Sequence, residues 1–113
     1  MKTITIFSAL TFLAASPFAQ NTGNVEHGKM LFTRNGCYQC HGTVGQGGQA
    51  GARLAQLKLT QAGFIAFIRN PPPSNMPPYR AKVMSDQDLA DVYAFIKTFP
   101  EPPALKSVPI LNE

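Results

Sequence analysis

The sequence predicts a small all-α domain of three to four helices, and three observations carry that reading. Apolar residues recur at three- and four-residue steps in separate stretches, and capping residues stand at the ends of those stretches. No run alternates apolar and polar residues for long enough to make a strand. The first helix is expected from Val25 to about Asn35, with Met30, Leu31 and Phe32 as its apolar patch and Gly36 as its stop. The second begins after Thr60, a candidate N-cap, and runs to about Arg69, carrying Phe64, Ile65, Phe67 and Ile68. Asn70 followed by Pro71 ends it, because proline lacks an N–H and disfavours helical backbone in the residue before it.

The third helix is the clearest. Ser85 is a good N-cap, Asp88 at the third helical position suggests a capping box, and Asp86 suits the positive helix end. Leu89, Val92, Tyr93 and Ile96 then form one apolar stripe, which Pro100 terminates. Two irregular segments separate the helices. Gly42 to Lys58 holds Gly42, Gly45, Gly47, Gly48 and Gly51, but it lacks the Gly-Lys-Ser/Thr ending and the preceding strand of a phosphate loop. Pro71 to Met84 packs five prolines around Met76, and the stretch from Pro100 to Glu113 adds four more in what reads as an extended tail.

A chain of 113 residues makes one compact domain. Its start is short and basic (Met1-Lys2-Thr3), an apolar run follows from Ile4 to Ala15, and Ser16 to Ala19 close the pattern, which is the anatomy of a secretory signal peptide. The run is shorter than the roughly 20 residues of a spanning helix, so cleavage after Ala19 and a periplasmic mature chain are expected; an uncleaved membrane anchor is the alternative. Losing Lys2 leaves nine basic residues against six acidic, a formal +3, scattered and without a Lys/Arg run. That argues against a nucleic-acid partner and leaves enough charge to bias docking. A domain this small, with no Trp, nine glycines and ten prolines, is expected to need a covalent or metal staple.

Cys37-Tyr38-Gln39-Cys40-His41 is a C-x-x-C-H sequence, the attachment signature of haem c. Two thiols on one helical turn can add to the two vinyl groups along one haem edge, and the following His reaches the iron as proximal ligand. A thioredoxin-type pair would need a βαβ setting, and a structural zinc would need four ligands where the only other histidine is His27. A plain disulfide across the pair fits only a failed maturation product. Met76 is the favoured sixth ligand, because a thioether suits the ferrous state and the flanking prolines stiffen its loop. Met84 is the second choice, ahead of a histidine or an open site, while Met30 is read as packing.

From Val25 to Phe99 the chain resembles a class I cytochrome c, with a helix before C-x-x-C-H and a methionine loop before a last helix. Gly28 and Phe32 match that family on the first helix, and Val92, Phe95 and Ile96 match it on the last; all five read as core. The resemblance implies that these two helices cross, around one covalently bound haem held by Cys37 and Cys40 with His41 and Met76 as metal ligands. Where the family often has Gly-Pro-x-Leu, this chain has Gly51-Ala52-Arg53-Leu54. The Ala52 carbonyl is still expected to accept a bond from His41, with a slightly looser proximal side. Leu54 is expected against the haem, and Arg53 either at a propionate or in solvent. The implied activity is electron transfer rather than catalysis, with a dehydrogenase, oxidase or respiratory complex as partner. Lys29, Arg34, Arg80 and Lys82 are candidate docking charges. The alternatives are a dedicated cytochrome subunit of a periplasmic dehydrogenase, and a haem enzyme or sensor with an open distal site.

Overall fold

The computed structural model describes residues 22–111; the expected signal peptide over residues 1–19 lies outside them. The described residues form four α-helices and no strand: α1 (Val25–Arg34), α2 (Cys37–His41), α3 (Gln61–Arg69) and α4 (Asp86–Ile96). Two short 3-10 turns, Leu105–Ser107 and Pro109–Leu111, lie in the proline-rich tail. None of the described helices is long and apolar enough to cross a membrane.

Local chemistry explains each boundary. The Asn24 side chain accepts from the His27 N–H at 3.0 Å and starts α1. At its other end Asn35 donates to the Leu31 carbonyl, and Gly36 takes up a left-handed φ of 70° that only glycine adopts without strain. That turn leads directly into the single-turn helix α2, so the cysteine pair sits in helical register. Thr60 caps α3 through the Gly63 N–H, and Ser85 with Asp88 forms the expected capping box on α4. α4 stops earlier than Pro100, at Ile96. Thr98 turns its hydroxyl onto the Phe95 carbonyl at 2.6 Å, and Phe99 swings into the core. Proline at 100 disfavours helical backbone at Phe99, so the last turn unwinds before the proline is reached.

α1 and α4 cross at Gly28, where a Cβ would overlap the backbone carbonyl of Asp91. Only glycine permits this approach, which lets Phe32 reach Phe95 and Phe99 edge-on at centroid distances of 5.5 and 5.6 Å. Leu31, Phe32, Phe64, Ile68, Leu89, Val92, Ile96 and Phe99 are buried around this crossing. One expectation fails here. Met30 is 49% exposed instead of packed, because it points away from the face that α1 turns to α4. Phe67 on α3 is 43% exposed and faces an open cleft.

The buried Asp91 locks the crossing. It accepts from the Asn24 N–H at 2.7 Å and from the Gln87 amide at 2.8 Å, and its second oxygen meets His27 Nδ1 at 2.6 Å. Burial works against its ionisation, but these hydrogen bonds and the His27 imidazole outweigh it and hold the carboxyl below its ordinary 3.8.

Candidate functional site

An apolar cleft opens between the crossing, α3 and the methionine loop. Its floor is Phe32, Leu89, Val92 and Ile96, and its walls carry Leu54, Leu57, Phe64 and Ile68. Its mouth widens past Cys37, Cys40, Gly51, Phe67 and the residues around Met76. Its lining is almost wholly apolar with a few polar groups at the edge, the pattern of a cofactor pocket. Two long bonds set the α3 wall: Tyr93 donates to the Leu59 carbonyl at 2.9 Å and Lys97 to the Leu57 carbonyl at 3.2 Å. These ties hold Leu57 and Leu59, which precede α3, against α4.

The attachment turn lies along one side. Cys37 is half-buried and Cys40 exposed, both as free cysteines. Burial pushes the Cys37 thiol above its usual range; a backbone hydrogen bond opposes this, and the neighbouring Cys40 adds to it. Helix α2 places both thiols and His41 within a single turn, as the spacing requires.

The glycine-rich segment serves His41. Gly47 donates to the His41 carbonyl at 2.9 Å, and the Gly45 carbonyl accepts from both Leu54 and Ala55. Gly45 sits at a φ of 65° against the Phe99 ring, where no side chain would fit. Gly51 passes under α2 so closely that a Cβ would lie 2.7 Å from the Cys40 carbonyl. These turns deliver the Ala52 carbonyl to His41 Nδ1 at 2.6 Å. A carbonyl can only accept, so Nδ1 donates, and in the neutral ring Nε2 carries the free lone pair that a metal requires. The bond survives without proline at position 52, because the folded-back loop holds the carbonyl in its place.

Met76 and His41 line the same cleft. Met84 lines it as well and is 3% exposed, packed in the core. Leu54 and Arg53 both line the cleft, Leu54 half-buried and Arg53 exposed with no ion pair among the described residues. Lys29, Arg34, Arg80 and Lys82 are all exposed.

One site residue escaped the sequence reading. Tyr79 lines the cleft, and its phenol is pushed up first by burial and then by the negative character of Cys37 and Cys40 nearby, so it stays a hydroxyl donor. Its position, directly after Pro77-Pro78 and three residues beyond Met76, was the available signal.

The fold and site together define a monohaem cytochrome c domain. The thiol pair, the oriented histidine and the apolar cleft fit a covalently held haem, with Cys37 and Cys40 as the attachment points. A comparison with protein families finds a match over residues 23–96, well over half of the chain, to the family described as cytochrome C oxidase, cbb3-type, subunit III. The chain belongs to that family, whose domain carries electrons on haem c. Comparisons with curated proteins and with solved structures returned no match.

Proposed function

We propose that this chain is a periplasmic one-electron carrier whose haem c would be held by thioethers from Cys37 and Cys40, with His41 and Met76 as the residues that would ligate its iron. The observation that carries the reading is the 2.6 Å bond from His41 Nδ1 to the Ala52 carbonyl, which leaves Nε2 free in a cleft that Met76 also lines. When bound, the haem supplies a ferric/ferrous couple. The chain's own residues orient His41, surround the group with apolar side chains that exclude water, and offer a thioether that favours the reduced state. Arg53, exposed in the cleft lining, would be available to pair with a propionate-type anion. With both His41 and Met76 engaged, the iron would keep no place for a substrate, which supports reading the domain as a carrier and not as an enzyme.

The test is Met76→Ala on the holo-protein. The ferric sulfur-to-iron absorption should vanish and the reduction potential should fall. Retention of both would return the ligand role to Met84. Binding of carbon monoxide by the reduced parent protein at neutral pH would instead support an open distal site.

The partner is a respiratory redox protein, met through a small transient interface steered by exposed Lys29, Arg34, Arg80 and Lys82. A second reading, a dedicated subunit held permanently by a catalytic partner, is favoured by the oxidase-subunit description of the family and by the exposed proline-rich tail. Co-purification with a large subunit under native extraction separates the two. The expected signal peptide is tested by the mass of the exported chain, which should begin near Gln20; a retained N-terminus would mean an anchor.

A further inference from the structure

The methionine loop leaves α3 at Asn70 and returns to α4 at Ser85 with no helix or strand of its own. Arg69, the last residue of α3, braces it. Its Nη1 donates to the Tyr79 carbonyl at 2.6 Å and its Nη2 to Asp86 Oδ1 at 2.5 Å, so one planar guanidinium joins α3, the loop and the first residue of α4. The Tyr79 N–H also donates to the Ile68 carbonyl at 3.1 Å, which pins residue 79 on both sides of its backbone. Between this pin and Met76 lie only Pro77 and Pro78, whose fixed φ angles leave little slack. The Arg69 side chain is 18% exposed and that of Asp86 is 73% exposed. The ion pair is therefore mostly in water and weak, while the bond to the Tyr79 carbonyl is partly buried and charge-assisted. The arginine's effect accordingly falls on the loop rather than on the helix pair.

We infer that Arg69 is a positioning residue for Met76: its fork across the Tyr79 carbonyl and Asp86 holds the methionine loop against the cleft and opposes displacement of the Met76 thioether by an outside ligand. This rests on Met76 being the distal ligand. Arginine suits the place because its rigid planar fork, resting on Asp86, aims Nη1 at the Tyr79 carbonyl, an aim that a lysine's flexible ammonium reproduces only in part.

The experiment titrates imidazole against the ferric holo-proteins of the parent, Met76→Ala, Arg69→Gln, Arg69→Lys and Asp86→Asn, following the sulfur-to-iron absorption and the far-ultraviolet circular dichroism. Arg69→Gln should keep its helical signal and its sulfur band without imidazole, yet bind imidazole roughly tenfold more tightly, as expected for loss of one hydrogen bond from a charged donor. Arg69→Lys should fall between it and the parent. Asp86→Asn should shift affinity by less than about threefold, because the carbonyl bond remains. An Arg69→Gln affinity within about twofold of the parent overturns the proposal, as does an Asp86→Asn effect equal to that of Arg69→Gln. Should Arg69→Gln fail to load haem, Arg69→Lys decides on the same criterion, with parent-like affinity overturning it. A sulfur band that persists in Met76→Ala defeats the Met76 assignment itself and this inference with it. Its loss there, together with an unchanged Arg69→Gln, defeats only the role of Arg69.

Discussion

The helix crossing and the cleft beside it are built on opposite principles. At the crossing, Gly28 lets two backbones touch, three aromatic rings interlock and a buried carboxylate is fully hydrogen-bonded. In the cleft the chemistry-bearing groups sit on a one-turn helix and two irregular loops, and backbone hydrogen bonds aim them. The difference teaches that regular structure here supplies stiffness, and loops supply ligands at positions that helical periodicity cannot reach. Changes at the crossing should therefore unfold the protein, whereas changes in the cleft should alter its cofactor chemistry in a folded chain.

The largest expected effect would break the cleft alone. Replacing Cys37 and Cys40 together by Ala should abolish covalently retained haem, read by haem staining after denaturing electrophoresis. Stain at parental intensity would overturn the attachment assignment. Next comes the crossing: Gly28→Ala should cost about 3 kcal/mol or more, since the new methyl overlaps immovable backbone. Denaturant melts measure it, and the folded fraction should keep the parental ferric spectrum.

Asp91→Ala should cost about 3 kcal/mol by leaving its donors unpaired at a buried site. Asp91 also gives the comparison a pH signature. Its folded pKa is depressed below 3.8, so its contribution is fully present above the unfolded value and is lost as pH falls through the lower folded value. Acid melts of parent and Asp91→Asn should therefore converge only below about pH 4. If their difference persists unchanged below that range, the carboxylate charge is not what stabilises the crossing.

Ser85→Ala should cost about 1 kcal/mol by removing the capping box from α4, with no change in reduction potential. The smallest effect should come from Met30→Ala, within about 0.5 kcal/mol by thermal melt, because that side chain is half exposed and outside the cleft.

The sequence by itself determined the helices, their caps and the attachment turn, because each depends on residues within four or five positions of one another. Asn35-Gly36, Asn70-Pro71 and the Ser85/Asp88 pair declare themselves locally. It also marked Met76 by its prolines and Ala52 by the departure from Gly-Pro-x-Leu. Only the tertiary structure decided which apolar residues are buried, leaving Met30 outside and turning Phe67 toward the cleft. The same holds for Asp91 and Arg69, whose partners His27, Asn24, Tyr79 and Asp86 lie 10 to 67 residues away. A carboxylate or a guanidinium looks alike on any helix surface. Whether it floats in water or clamps two segments depends on what the fold brings opposite it, and sequence periodicity carries no record of that.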